Sequence, residues 1–349
     1  MNRLHHLKLT LPKNIENNLS YKNLEFVILD YNSSDGLANW AKETMSNFIT
    51  NGLVKFYRTN DPKYFDRTHS RNMMFKLATG DIICNVDADN FTGENFAHYI
   101  NDQFNTNSNI YLVADTERRY YFLRNAFGRF ATWRNDFIKL GGLDESMKSY
   151  GSETIDFYER LKLVGKEESI IQNIKFLNAI SHTDEERISN EYFSKNLEAF
   201  YIRYISSYES EVLFLYKNNE YEKGILIPDK YKTHLPASIK DGTWSKGQWK
   251  IDDKKLILTY NNKKNDFFTI SINETESTLI SKESNTNSVF YKITNKPFLS
   301  ELAKNYSFIT NNEQHQINKK EKIAIVNNNK FGQGIVFKNF DYDNQIAIN

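Results

Sequence analysis

Cysteine is nearly absent from the chain: Cys84 is the single one in 349 residues. This excludes an intramolecular disulfide framework and any four-cysteine zinc site. An excess of charge of one sign is also missing, since 45 Lys and Arg stand against 44 Asp and Glu for a formal net charge of +1. Nothing is left over to neutralise a phosphate backbone, so nucleic acid is not an expected partner. No apolar run approaches the ~20 residues of a membrane-spanning helix. The opening Met1-Asn2-Arg3-Leu4-His5-His6 lacks the apolar core of a signal peptide. Aromatic residues make up 14% of the chain and the mean hydropathy is −0.64, the balance of a wet surface over a packed interior. A cytoplasmic location is expected, with peripheral membrane contact left open. At ~150 residues per domain the length allows two or three domains.

The first two hundred residues alternate strands and helices. Leu24 to Leu29 reads as a buried strand, and after the turn Asn32-Ser33-Ser34-Asp35-Gly36 the residues Leu37, Trp40, Ala41, Thr44, Met45 and Phe48 fall at helical spacing. Leu53–Tyr57, Asp81–Val86 and Ile110–Ala114 are further strands; Arg71–Ala78, Glu94–Phe104 and Glu153–Gly165 are further helices. The alternation predicts an α/β fold with a mostly parallel sheet flanked by helices. A long aromatic helix is expected over Asn190–Tyr208, with Tyr192, Phe193, Leu197, Phe200 and Tyr204 on its stripe. From Asp241 to about Thr294 short strands separated by polar residues predict a small antiparallel β module. Its Trp244, Trp249, Tyr260, Phe290 and Tyr291 could make a sugar-stacking face, but aromatic residues in short strands are more often core. The last fifty residues are rich in Asn and Lys, with one strand-like run, Lys322–Val326. The expected division is 1–210 for the α/β domain, 211–240 for a linker, 241–296 for the β module and 297–349 for the C-terminal segment.

The residues that could carry chemistry begin with Asp87-Ala88-Asp89, at the carboxyl end of a buried strand where open α/β sheets place ligands. Two carboxylates one residue apart can share a hard divalent cation and the phosphates it neutralises. Upstream lies Asp30-Tyr31-Asn32-Ser33-Ser34-Asp35-Gly36, which on its own reads as a helix N-cap. Between the acidic sites lie Arg71-Asn72 and Ala78-Thr79-Gly80-Asp81. Downstream come Gly141-Gly142-Leu143-Asp144-Glu145 and Tyr150-Gly151-Ser152-Glu153-Thr154-Ile155-Asp156.

Over roughly residues 3 to 185 this ordered set resembles the family 2 type of glycosyltransferase with the GT-A fold. That family runs D-x-x-S-x-D-G, R-N, A-x-G-D-I-I, D-x-D, G-G-F-D-E and G-x-E-D in this order. The resemblance implies transfer of a sugar from a nucleotide-diphosphate donor, a UDP-sugar foremost, to an acceptor hydroxyl, usually with inversion. The implied setting is surface polysaccharide or glycoconjugate synthesis, and the implied partners are the nucleotide-sugar, a glycan acceptor and Mn²⁺ or Mg²⁺. Carried over by position, Asp30 and Asp35 hold the nucleoside end, Arg71 binds the donor, and Asp87 faces the ribose or diphosphate. Asp89 is then the direct metal ligand. His182, in Ser181-His182-Thr183-Asp184, matches a histidine that several members use as a second ligand. Such a metal stabilises the charge of the departing diphosphate, and a carboxylate takes the acceptor proton.

Two departures stand out. The family's base is the Asp of G-x-E-D, and here that position is Thr154, whose hydroxyl cannot act as a general base at neutral pH. Glu153 is the expected substitute and Asp156, on the same helical face, the reserve; Glu153 also suits a helix N-terminus on electrostatic grounds alone. Second, Met1 falls where the family's first loop should be, so its first strand is expected to be missing, through a clipped chain or a degenerate copy. The alternative to an enzyme is therefore a non-catalytic GT-A domain that binds carbohydrate or scaffolds partners. A sugar-nucleotide pyrophosphorylase would need a Gly-rich loop with a basic residue near the N-terminus, and none is present.

Overall fold

The computed structural model describes residues 1–114, 126–228, 236–240, 242–260, 267–273, 278–283 and 286–349. In chain order the elements begin with α1 (Leu4–Asn18), β1 (Phe26–Tyr31), α2 (Leu37–Thr44), α3 (Ser46–Thr50), β2 (Val54–Thr59), α4 (Arg67–Leu77) and β3 (Ile82–Cys84). There follow α5 (Phe96–Thr106), β4 (Ile110–Val113), β5 (Phe130–Trp133), α6 (Arg134–Lys139), α7 (Glu153–Leu163) and β6 (Glu167–Ile170). Next come α8 (Asp184–Ile188), α9 (Tyr192–Asn196), β7 (Leu197–Ser206), β8 (Glu209–Tyr216), β9 (Glu220–Pro228), β10 (Pro236–Ile239) and β11 (Ser245–Asp252). Then β12 (Lys255–Tyr260), β13 (Phe267–Asn273), β14 (Thr278–Glu283), β15 (Thr286–Lys292), α10 (Lys296–Lys320), β16 (Gly334–Lys338) and β17 (Asp341–Ile348) complete the chain. Two compact units result, one of residues 1–183 with 311–349, the other of residues 184–310. Among the described residues no helix is long and apolar enough to cross a membrane.

The first unit has the expected α/β class, but where a mostly parallel sheet was expected its strands form two mixed sheets in which antiparallel pairings outnumber parallel ones. β1 and β2 pair in parallel, with Phe26 opposite Val54, and β16 and β17 extend that sheet antiparallel. A second sheet has the order β3-β5-β4-β6, in which β4 and β6 are parallel and β5 runs antiparallel to both neighbours. Helices bury their apolar stripes on these sheets: Leu4, Leu11 and Ile15 of α1 meet Leu37, Ala41, Val54 and Phe56. On the second sheet, Phe75, Tyr111, Phe130, Phe137, Phe157 and Leu161 form an aromatic-rich core. The strand-like run Lys322–Val326 pairs with no strand: Val326 N donates instead to the loop carbonyl of Leu140. The strands of the C-terminal segment are β16 and β17, which sequence reading missed.

In the second unit eight strands close on themselves in the order β7-β8-β9-β11-β12-β13-β14-β15, and β15 returns to β7. Closure removes the exposed edges that a small open sheet would carry. Ala199, Leu213, Leu215, Tyr221, Leu256, Leu258, Leu279 and Phe290 share the inner face. Phe200, Ile202, Val212 and Phe214 face outward, under Phe193 of α9 and Leu302, Ala303 and Tyr306 of α10. This corrects two expectations. Residues 211–240 carry β8 and β9 where a linker was expected. The long helix expected over Asn190–Tyr208 ends at Asn196, and β7 takes its place. From Ala199 to Ile202 the strand is covered on both faces, so that stretch shows no alternation of polar and apolar residues and imitates a helical stripe, while Phe200, Tyr201, Ile202, Tyr204 and Ile205 all favour strands.

The module's aromatic residues divide. Phe290 is buried, Trp244 stacks on Tyr306 with ring centres 5.0 Å apart, and Trp249 Nε1 donates to Tyr216 O at 2.9 Å. Among the described side chains of this set, Tyr291, half exposed, stands outside this packing. Asp241 and the side chain of Tyr260 lie outside the described residues.

Candidate functional site

The site belongs wholly to the first unit. Asp66 caps α4 by accepting from His69 N at 2.9 Å, and the helix so started carries Arg71 inward. β3 stops at Cys84, and the chain runs on through Asn85, Asp87 and Asp89. α7 begins at Glu153, preceded by Gly151 (φ 101°) and Ser152 (φ 66°) in left-handed conformations that turn the chain sharply into the helix. Arg71 joins these three pieces: Nη1 donates to Glu153 Oε1 at 2.8 Å and Nη2 to Asp87 Oδ1 at 2.9 Å. Arg71 and Glu153 are buried, whereas the Asp87 side chain keeps 30% exposure. Burial pushes the Asp87 carboxyl up, but the Arg71 charge and hydrogen bond outweigh it and hold the group down at about 2. Asn85 Nδ2 adds a bond to Asp87 Oδ1 at 3.1 Å and donates to Gly128 O at 2.7 Å. A Cβ on Gly128 would stand 2.8 Å from Asp87 Oδ2, so the close backbone approach there requires glycine.

Beside this cluster, His182 Nε2 lies 2.7 Å from Asp89 Oδ2. The other oxygen, Oδ1, accepts from Asn90 Nδ2 at 2.7 Å. The loop holding both is fastened by α1. Thr10 Oγ1 donates to Ala88 O at 2.7 Å, Asn14 Nδ2 to Asn90 O at 2.9 Å, and Asn18 Nδ2 to Thr92 Oγ1 at 2.9 Å. His6, one turn before Thr10, sets its ring 5.3 Å from that of His182. Residues 6, 10, 14 and 18 form a buried polar stripe at spacing four on one helix face. That stripe is visible in the sequence, and reading α1 only for its apolar residues passes over it. Asn85, Asn90 and Arg129 were missed for a different reason: neither spacing nor composition marks them.

Several expected residues are placed elsewhere. Asp30 is fully buried; its Oδ2 accepts from Arg58 Nη1 at 2.7 Å and its Oδ1 from Ser33 N at 2.8 Å. Asp35 accepts from Leu4 N at 2.8 Å and Leu37 N at 3.3 Å, tying the starts of α1 and α2. Asp156 does not join the Arg71 cluster. It is 1% exposed, with Oδ2 taking Arg160 Nε at 2.7 Å and Oδ1 taking Asn318 Nδ2 at 3.0 Å. Arg160 in turn donates to Leu140 O and Gly142 O at 3.0 and 2.7 Å. The Gly141–Glu145 turn is held from its other side by Asn72, whose Nδ2 donates to Leu143 O at 2.9 Å and whose Oδ1 accepts from Leu143 N at 2.8 Å. Thr154 Oγ1 is 3.5 Å from Glu153 Oε1.

The donor set around Asp89 fits a divalent cation. Two ligand atoms bound at ~2.1 Å to one octahedral ion sit about 3 Å apart, close to the 2.7 Å between Asp89 Oδ2 and His182 Nε2. The carboxylate oxygen suits Mn²⁺ or Mg²⁺ together with phosphate oxygens, while the imidazole nitrogen favours Mn²⁺ over Mg²⁺, which takes an oxygen shell.

Residues 2–150 match the profile described as "Glycosyl transferase family 2". No curated protein sequence matches the chain. Among solved structures, GalNAc-T7 with UDP, GalNAc and Mn²⁺ aligns at 12% identity over 85% of this chain and 78% of that one, with a TM-score of 0.39. The catalytic domain of Drosophila β1,4-galactosyltransferase 7 in complex with xylobiose aligns at 18% identity over 47% of this chain and 73% of that one, with a TM-score of 0.31. Over residues 2–150, all within the first unit, the chain is thus similar to glycosyl transferase family 2.

Proposed function

We propose that the chain moves a sugar from a nucleotide-diphosphate donor, a UDP-sugar foremost, to a glycan acceptor hydroxyl with inversion, in surface polysaccharide or glycoconjugate synthesis. The observation that carries this reading is Arg71, whose guanidinium joins Asp87 to Glu153 in one buried network. Arg71 and Asp87 then face the donor diphosphate. Asp89 and His182 hold Mn²⁺ or Mg²⁺, which when bound supplies Lewis-acid stabilisation of the leaving diphosphate. Asp30 and Asp35 serve the nucleoside end by fixing the turn beneath it through Arg58, Ser33, Leu4 and Leu37. Glu153 takes the acceptor proton; Arg71 holds its Oε1 and so orients the carboxylate at the start of α7. Asp156 has a structural role, because both its oxygens are engaged in the packing of α7.

The test is release of UDP from UDP-sugars with Mn²⁺, with and without glycan acceptors. Arg71→Met and Asp87→Asn should each reduce turnover at least a hundredfold. Full activity in both variants would overturn the assignment.

A second reading rests on Thr154 standing where the family has its catalytic aspartate. On that reading the domain binds nucleotide-sugar or glycan without turning it over. Thr154→Asp then creates transfer where the native chain has none, with donor affinity unchanged.

A further inference from the structure

The geometry points to Asn90, clamped by Arg129, as a positioning residue that fixes the orientation of the Asp89 carboxylate. The inference rests on the metal role proposed for Asp89. A carboxylate in a turn rotates about its last bond unless one oxygen is held, and here the held one is Oδ1, by Asn90 Nδ2 at 2.7 Å. That leaves Oδ2 turned to His182.

An asparagine amide can present either end to its neighbour. If its oxygen faced Asp89, two acceptors would meet and repel. Arg129 prevents this: its Nη2 donates to Asn90 Oδ1 at 2.9 Å, and a guanidinium can only donate, so the amide nitrogen must face the carboxylate. Arg129 is itself immobilised. It is 0% exposed, its Nη1 donates to Phe91 O at 3.0 Å, and it lies over the ring of Phe96 at 5.5 Å. The backbone of Asn90 is pinned as well, by Asn14 Nδ2 on its carbonyl at 2.9 Å and by its own N–H on Asp87 O at 2.9 Å. A fully buried arginine whose partners are a loop carbonyl and a side-chain amide, and no carboxylate within hydrogen-bond distance among the described residues, is costly to fold. Setting the direction of one metal-ligand oxygen is a function that accounts for it.

The experiment measures Mn²⁺ affinity of the full chain by the electron paramagnetic resonance of free Mn²⁺, alongside thermal unfolding. Asp89→Ala should abolish binding. Asn90→Ala should weaken it ~10–100-fold, the usual effect of removing a partner of a metal ligand. Arg129→Lys, which keeps the charge but reaches only one of the two acceptors, should weaken it by a smaller factor and carries the test if Asn90→Ala fails to fold. Asn18→Ala, which loosens the same loop at Thr92 without touching Asn90, should lower the melting temperature and leave Mn²⁺ affinity within about twofold. If Asp89→Ala loses Mn²⁺ while Asn90→Ala and Arg129→Lys bind as the native chain does, the positioning inference alone is overturned. If Asn18→Ala weakens Mn²⁺ as much as Asn90→Ala for the same loss of stability, the effect is structural and the inference again fails. If Asp89→Ala binds Mn²⁺ unchanged, the metal reading falls and takes the inference with it.

Discussion

His182 Nε2 and Asp89 Oδ2 stand 2.7 Å apart across 93 positions of sequence. The contact joins the end of the β3 segment to the segment after β6, two loops of the same unit. His182→Ala should therefore raise the Mn²⁺ concentration needed for half-maximal UDP-sugar hydrolysis by roughly tenfold or more. Saturating Mn²⁺ should restore most of the rate, because the Asp89 oxygen remains. A Mn²⁺ dependence identical to that of the native chain would remove His182 from the site.

Glu153 offers the sharpest kinetic test. Glu153→Gln keeps an oxygen for Arg71 Nη1 and removes the capacity to take a proton. Turnover with acceptor should fall roughly 10²–10⁴-fold while the donor KM stays within about twofold. Transfer and donor hydrolysis measured side by side decide it; unchanged transfer would exclude Glu153 as the base.

Asp156→Asn should behave as a stability variant. Arg160 would lose its charged partner in a position only 1% exposed, and breaking a buried pair from one side costs about 3–5 kcal/mol. Denaturant unfolding should show that loss. Turnover per folded molecule should change less than about threefold, and a hundredfold drop without loss of stability would make Asp156 catalytic after all.

Cys84 sets an alkaline signature. Burial pushes its thiol up to about 12, whereas an unfolded cysteine titrates near ~8.5. Between those values the unfolded chain gives up a proton that the folded one keeps, so stability falls as pH rises through that window. A disulfide reagent at pH 8 should react more slowly with the half-buried thiol of the folded chain than with that of the unfolded one. Cys84→Ala should flatten the decline of unfolding free energy between pH 8.5 and 10 by that one group, and equal slopes would contradict the raised thiol.

Much of the first unit was legible because its signals are local. β1, β2 and β4 are short apolar runs, α4 and α7 start where turn residues end, and each block from Asp30 to Thr154 is a few residues long. The second unit was harder to read. β8 shows no clean alternation because both of its faces are covered, and the closure of β15 on β7, with Tyr291 opposite Ile202, joins residues some ninety positions apart. Nothing local records such a pairing.

The amino-acid sequence alone determined the alternation of strands and helices, the order of the acidic and basic blocks, and the replacement of an aspartate by Thr154, because each of these is a matter of neighbouring residues. Tertiary structure decided what each charge faces. Asp30, Asp87 and Asp156 are the same residue type, each near a turn or a helix start, yet Asp30 is consumed by Arg58 and Asp156 by Arg160. Asp87 shares Arg71 with Glu153 and keeps part of its surface open. A buried carboxylate takes whichever cation the fold brings within about 3 Å, and that distance is set by the packing of helices far apart in sequence.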